Sequence, residues 1–157
     1  MSERRRKKAG TLSIAKPLAG KHVAIVEDNT IIRLGIEQIV INAGGNLVKS
    51  VEQHCDVAVL DVLLDRQWAL EAPHDPSPVT AASPFGARTV LPIALSYAQR
   101  GTPLLFYTGC SEEEIEALQR HFTESVVLRK PATPDKLLHA ILSVLGNGSA
   151  PFKANDD

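Results

Sequence analysis

Short apolar runs that alternate with amphipathic helical patterns constrain the fold of this chain more than any other feature. The first run, residues 22–26, is apolar and bounded at both ends, as expected for a strand buried on both faces. Residues 30–43 then place isoleucine, valine and alanine on one helical stripe and end at Gly44-Gly45, a pair that terminates helices well. A strand followed by a helix is therefore the first predicted unit.

The same pattern continues along the chain. Further strand candidates are residues 46–51, 56–60, 103–107 and 125–128. Ser111 and Glu114 form an S-x-x-E capping box, and Thr133-Pro134 offers a cap with proline at the first helical position, so helices are predicted to begin at both places. Because parallel strands require helical crossovers, the alternation predicts an α/β fold: a parallel sheet with flanking helices.

The length of 157 residues fits one ordinary domain, which we expect over residues 21–146. Residues 1–20 are strongly basic and lack both the apolar core of a secretory signal and any helical periodicity. We therefore expect a disordered basic tail there, and a second disordered tail over residues 147–157. Weak contact of the basic tail with nucleic acid or acidic lipid stays open, but only the tail suggests it, so nucleic acid is not an expected partner.

The apolar stretches are far shorter than the roughly 18 residues that a membrane-spanning helix needs, so no membrane insertion is expected. The two cysteines, Cys55 and Cys110, lie far apart in the sequence and form no CxxC pair. Reduced thiols in a cytoplasmic protein are therefore expected rather than a disulfide.

Polar side chains stand where four of the apolar runs stop: Glu27-Asp28, Asp61, Thr108 and Lys130. In open parallel sheets, sites form just outside the carboxyl ends of the strands, so these side chains are placed to converge. Three carboxylates gathered in one place repel one another unless a cation lies among them, and their hard oxygen ligands suit magnesium. A lysine and a hydroxyl beside a metal-bound carboxylate form a site for a phosphoryl group.

Four segments that contain these residues resemble the signature segments of the receiver domain of bacterial two-component response regulators. They are residues 26–29, 59–62, 106–109 and 128–131, in the order that the family has them. The resemblance covers residues 21–145 and implies a flavodoxin-like, CheY-like fold. Phe106, Thr108 and Gly109 further resemble the subgroup named for a Phe-Ala-Thr-Gly-aromatic motif, often single-domain regulators, with Cys110 in place of the aromatic residue.

The resemblance implies a role for each acidic residue. Asp61 would be the phosphoacceptor and would take the phosphoryl group from a histidine of a partner kinase. Asp28 and Asp61 would bind Mg2+, Glu27 would act mainly through water, and the backbone carbonyl of Leu63 would complete the protein ligands.

The remaining site residues receive their roles in the same way. Lys130 would pair with the phosphoryl group, and Thr108 would move toward it as the switch. The Lys130-Pro131 peptide bond is commonly cis in such domains. Receivers often carry a tyrosine or phenylalanine three positions before the lysine, coupled to the threonine, but this chain has Val127, which argues against switching by a ring flip.

Two segments depart from the family pattern. Residues 46–51 and the strand candidate at 56–60 leave no room for the usual helix between the second and third strands, so that helix is expected to be missing. Residues 46–51 then either pair differently, stay irregular or form a brief edge strand. A proline-rich insertion, residues 66–86, follows the third strand. We expect it to fold over the surface that the missing helix would cover, with Trp68 and Phe85 buried there.

The leading functional hypothesis is a single-domain response regulator that acts in phosphorelay signal transduction and is not itself an enzyme. Its partners would be a sensor histidine kinase or phosphotransfer protein and a downstream protein target. An alternative is a degenerate receiver that binds a partner without phosphorylation. A small phosphohydrolase that uses Asp61 as nucleophile ranks last, because such enzymes generally place a second aspartate two positions later, where this chain has Leu63.

Overall fold

A computed structural model describes residues 16–62 and 90–146. The strands of the described part are β1 (His22–Val26), β2 (Asn46–Val48), β3 (Val57–Leu60), β4 (Leu104–Thr108) and β5 (Val126–Arg129). The helices are α1 (Thr30–Asn42), α2 (Leu91–Gln99), α3 (Glu112–His121) and α4 (Pro134–Val144). All five strands are parallel and lie in one sheet in the order β2-β1-β3-β4-β5. The predicted α/β fold, with a parallel sheet and flanking helices, is confirmed.

Alternating side chains of the central strands enter two separate cores, one on each face of the sheet. The core under α1 and α4 contains Val23, Val57, Val59, Leu105 and Tyr107. The core under α2 and α3 contains Ala24, Ala58, Leu60, Leu104 and Phe106. Burial on both faces explains why these strands are continuously apolar in the sequence.

Helices α1, α3 and α4 begin at side-chain caps, and the sequence predicted those of α3 and α4, at Ser111 and Thr133. The Asn29 side chain accepts the N–H groups of Ile31 and Ile32 at the start of α1. At α3 the Ser111–Glu114 capping box is formed from both sides. Each cap satisfies backbone donors that have no partner inside the helix, so local chemistry sets where these helices start.

The connection from β2 to β3, residues 49–56, contains no helix, as predicted. Strand β2 is shorter than residues 46–51 and forms the brief edge strand, one of the outcomes left open above. Val48 ends β2 opposite Ala24, and Val57 begins β3 opposite Val23. The chain therefore returns by about one residue along β1 and crosses about two strand spacings of 4.8 Å each, which eight residues span easily.

The folded part of the chain begins before residue 21, where the sequence analysis placed its start. Leu18 is completely buried in the core under α1, and its N–H donates to the carbonyl of Ala43 at 2.9 Å. The turn over residues 16–20 belongs to the domain because the buried side chain of Leu18 anchors it. Residues 1–15 and 147–157, which cover the rest of both predicted tails, lie outside the described residues.

The described chain stops at Val62 and resumes at Val90, and the N–H of Val90 donates to the Val62 carbonyl at 3.2 Å. This hydrogen bond joins the end of the first described segment to the start of the second. The proline-rich insertion with Trp68 and Phe85 lies outside the described residues. Helix α2 begins at Leu91 and has Pro92 in its first turn, where a helix tolerates proline.

Two further expectations concern the cysteines and the membrane. Cys55 and Cys110 are both buried free thiols, as predicted. Within residues 16–62 and 90–146, none of the helices combines the length and the apolar character that crossing a bilayer requires.

The turn over residues 16–20 packs closely against Gly44, just after α1, and this contact generates a stability prediction. Gly44 has φ +86°, and a Cβ added to it would lie 2.7 Å from Cβ of Lys16, so Gly44→Ala should lower the free energy of unfolding by about 1–3 kcal/mol. Gly35 lies inside α1 with open space around it, so Gly35→Ala should instead raise it by about 0.5–1 kcal/mol. Urea unfolding followed by circular dichroism measures both, and equal changes in the two variants would contradict the argument.

Candidate functional site

The acidic residues lie at the carboxyl ends of β1 and β3, the two neighbouring strands from which the chain departs toward opposite faces of the sheet. Glu27 and Asp28 directly follow β1, and Asp61 directly follows β3. The N–H of Asp61 donates to the carbonyl of Val26 at 2.9 Å, which holds the two strand ends side by side. This switch point is where parallel sheets of the 2-1-3-4-5 order form their sites.

One carboxylate oxygen each from Glu27, Asp28 and Asp61 lies within 4.8 Å of the others. The side chain of Glu27 is 2% exposed and that of Asp61 11% exposed, so water screens this cluster poorly. Glu27 also accepts the N–H of Asn29 at 3.0 Å, which fixes the turn between β1 and α1. The structure therefore gathers the three acidic residues that the sequence singled out.

Lys130 reaches this cluster from the end of β5. Its Nζ lies 2.8 Å from Oδ2 of Asp61 and also contacts Oε2 of Glu27. The N–H of Lys130 donates to the Thr108 carbonyl at 2.9 Å, and the Lys130-Pro131 peptide bond is cis, as expected. The lysine thus bridges carboxylates that follow two different strands.

Burial and charge act against each other in this cluster. Burial raises the pKa of Glu27 above its ordinary value of 4.5, and the hydrogen bond from Lys130 offsets only part of this effect. For Lys130, burial alone would lower the pKa, but the hydrogen bonds to Asp61 and Glu27 outweigh it and raise the pKa, so the ammonium form is favoured. With ionised carboxylates, the three acids and one ammonium carry a formal charge of −2.

This donor set fits a small divalent cation. Carboxylate oxygens are the ligands that Mg2+ prefers, and two positive charges would balance the formal charge of −2. Glu27, Asp28 and Asp61 would hold the cation between them. Leu63, whose carbonyl was expected to complete the ligands, lies outside the described residues.

Thr108 ends β4 next to β3, and its side chain is completely buried. The hydroxyl of Thr108 donates to Sγ of Cys110 at 3.2 Å. Burial raises the pKa of Cys110, so its sulfur is held as a thiol. Sequence reasoning missed this partner, although its position two residues after the threonine was visible.

Tyr107 is a second residue that sequence reasoning passed over, as one apolar member of a buried strand. Its ring centroid lies 5.3 Å from Nζ of Lys130, and its hydroxyl accepts the N–H of Ala132 at 3.2 Å. The only signal in the sequence was an aromatic residue directly before Thr108. The lysine of the site therefore contacts both carboxylates and an aromatic ring.

The sequence matches no protein-family model and no curated protein. Solved structures, in contrast, are similar to this chain in fold. A CheY-like response regulator receiver domain protein from Methanospirillum hungatei has a TM-score of 0.59 at 17% identity, over 80% of this chain and 94% of that chain. A response regulator receiver protein from Sinorhizobium medicae has a TM-score of 0.56 at 17% identity, over 80% of this chain and 94% of that chain.

The chemotaxis protein CheY4 of Vibrio cholerae has a TM-score of 0.54 at 20% identity, over 79% of this chain and 98% of that chain. At these identities the likeness concerns the fold. The chain has the flavodoxin-like fold of CheY-like response regulator receiver domains.

Proposed function

We propose that this chain is a phosphoacceptor receiver of a two-component system, in which Asp61 accepts a phosphoryl group from the histidine of a sensor kinase or phosphotransfer protein. The observation that carries the proposal is the ammonium of Lys130, 2.8 Å from Oδ2 of Asp61 at the switch point of the sheet. A carboxylate that is to be phosphorylated needs such a cation, because the incoming group brings negative charge.

The proposed transfer is a displacement at phosphorus. A carboxylate oxygen of Asp61 forms the new O–P bond while the P–N bond to the donor imidazole breaks, and the electron pair of that bond stays on the imidazole nitrogen. The product is an acyl phosphate on Asp61. Lys130 already lies beside the acceptor, so it can pair with the phosphoryl oxygens without a large movement.

In this proposal Asp28 and Asp61 would hold the divalent cation directly and Glu27 mainly through water, with the Leu63 carbonyl as a further ligand. Bound Mg2+ supplies charge neutralisation at the phosphoryl oxygens. Since Lys130 contacts Glu27 as well as Asp61, it keeps the resting cluster folded against its own repulsion.

Thr108 is the proposed switch residue. Its hydroxyl donates to Cys110 in this structure, so a turn of the hydroxyl toward a phosphoryl group on Asp61 would break that contact. The exchange of one hydrogen bond for a stronger, charge-assisted one would favour the turned state only when the phosphoryl group is present. A downstream protein would then recognise the altered surface.

A degenerate receiver that acts without phosphorylation is the second candidate. It is favoured by the connection between β2 and β3, where residues 49–56 lack a helix, and by Val127 in place of an aromatic residue. The acidic cluster with its lysine favours the phosphoacceptor, because a pure interaction module gains nothing from buried carboxylates that repel one another.

Phosphorylation by a small donor separates the two candidates. With Mg2+ and acetyl phosphate, we expect intact-mass spectrometry to find one added phosphoryl group that is labile to hydroxylamine and absent in Asp61→Asn. Asp56→Asn is the matched control, since Asp56 lies at the opposite end of β3 and accepts the N–H of His22. Equal labelling of wild type and Asp61→Asn, or no labelling of either, would exclude Asp61 as the phosphoacceptor.

The raised pKa of Glu27 predicts a pH-dependent stability difference. Because the folded state raises this pKa, the stability that protonated Glu27 contributes is present below about pH 4.5 and is lost as the pH rises through the folded-state pKa. Glu27→Gln keeps the neutral form, so without metal it should unfold at higher urea concentration than wild type at pH 7 and at the same concentration below pH 4.5. A constant difference across this range would contradict the assignment.

Cation binding should appear as stabilisation. A ligand that binds only the folded state raises the free energy of unfolding by about 2.7 kcal/mol at a concentration of 100 times its Kd. Mg2+ should therefore raise the Tm of wild type and of Asp56→Asn, but much less that of Asp28→Asn, in differential scanning calorimetry. The same rise in Asp28→Asn would show that the cation binds elsewhere.

A further inference from the structure

Tyr107 lies beside the site but has no role in the proposed phosphoryl transfer. It lies on β4 directly before Thr108, and it is 8% exposed. Since side chains alternate along a strand, Tyr107 enters the core under α1 and α4, whereas Phe106 enters the core under α2 and α3. The two neighbouring aromatic residues therefore serve opposite faces of the sheet.

Two separate contacts join Tyr107 to the turn that carries the lysine. The ring lies 5.3 Å from Nζ of Lys130, a distance at which the face of the ring attracts an ammonium group. The hydroxyl accepts the N–H of Ala132 at 3.2 Å, two residues farther along the same turn. One side chain thus contacts both the functional group of Lys130 and the backbone that follows it.

A lysine on a flexible four-carbon stem does not by itself keep one position. The carboxylates of Asp61 and Glu27 attract the ammonium, but they alone would let it follow either of them. The Tyr107 ring adds a third, uncharged contact that does not depend on which carboxylate is occupied. Tyr107 is therefore suited to keep Lys130 near the acceptor when a phosphoryl group or cation changes the charge of the cluster.

The Tyr107 ring and Val127 lie on opposite faces of the sheet. Tyr107 lines a groove of about 470 Å³ between α1 and α4, together with Ile32, Ile39, Ala132 and Leu137. Val127 packs instead against the core under α2 and α3. The aromatic residue that contacts the lysine of the site thus belongs to the α1–α4 side.

We propose that Tyr107 is a positioning residue for Lys130: its ring holds the ammonium at the acceptor carboxylate, and its hydroxyl fixes the turn over residues 130–132. The part that concerns phosphoryl transfer rests on the proposed function. The two contacts themselves do not, so each part has its own measurement.

Two variants and one control separate the roles of ring and hydroxyl. Tyr107→Phe keeps the ring and removes the hydroxyl, whereas Tyr107→Leu removes both. Phe106→Leu is the matched control, because Phe106 is the adjacent buried aromatic residue of β4 and contacts Phe122 instead of the site. General loss of aromatic packing in β4 should appear in the control as well.

The first measurement is nuclear magnetic resonance of the unphosphorylated protein. The Lys130 side-chain protons should show an upfield ring-current shift in wild type, Tyr107→Phe and Phe106→Leu, and lose it in Tyr107→Leu. The amide of Ala132 should exchange with solvent about fivefold faster in Tyr107→Phe, as expected for loss of one hydrogen bond. A Lys130 shift that persists in Tyr107→Leu, or an unchanged Ala132 exchange rate, would overturn the positioning role.

The second measurement is the rate of phosphorylation by acetyl phosphate with Mg2+. Tyr107→Leu should lower the maximal rate about tenfold and leave the donor concentration at half-maximal rate nearly unchanged, whereas Tyr107→Phe should stay within about threefold of wild type. An equal loss in Phe106→Leu would mean that only packing matters and would overturn the proposal.

The failure of the proposed function must be distinguished from the failure of the positioning role of Tyr107. Wild type that takes up no phosphoryl group refutes the proposed function, but the ring-current and exchange measurements still decide whether Tyr107 positions Lys130. If Tyr107→Leu does not fold, Tyr107→Phe and Tyr107→Trp replace it: Ala132 exchange must rise in both, and the Lys130 shift must persist in both, or the proposal fails.

Discussion

The structure depends on holding three carboxylates together at one edge of a parallel sheet. Glu27, Asp28 and Asp61 repel one another, and one of them is almost completely buried. The ammonium of Lys130 offsets part of that repulsion, so the site is stable enough to fold and yet retains a formal charge of −2. A pocket with excess negative charge around a paired lysine suits a divalent cation and, under the proposed function, a phosphoryl group. The same excess of negative charge lowers the stability of the fold, as functional sites often do.

The position of the acidic residues, at the carboxyl ends of β1 and β3, explains how the fold tolerates a missing helix. The acidic residues need only β1 and β3 side by side, and the strand that would demand a long crossover, β2, is cut to three residues at the sheet edge. Its short length brings its end back almost level with the start of β3, so residues 49–56 complete the connection. The connection without a helix therefore does not affect the pairing of β1 with β3, whose carboxyl ends carry the acidic residues of the site.

The sequence predicts features of the fold and site that depend on short-range interactions better than those that depend on long-range packing. Strand positions and helix caps depend on neighbours along the chain, and so residues 22–26, the Ser111 capping box and the Thr133 cap were predictable. Convergence of the acids with Lys130 followed from sheet geometry alone. The burial of Leu18, the Thr108–Cys110 contact and the place of Tyr107 beside Lys130 depend on side-chain packing between distant segments, which no local pattern encodes.

Tyr107 also shows why low identity to solved receiver domains is compatible with a shared fold. A parallel sheet brings the same strand ends together whatever side chains fill its interior, so the fold can persist while the core residues differ. Replacement of a core residue then changes what contacts the site. In this chain the ring next to the lysine comes from β4 and faces α1 and α4, whereas position 127 on the opposite face is a valine. A movement of Lys130 would therefore be felt first by the packing of α1 against α4, because that is the side on which its aromatic contact is buried.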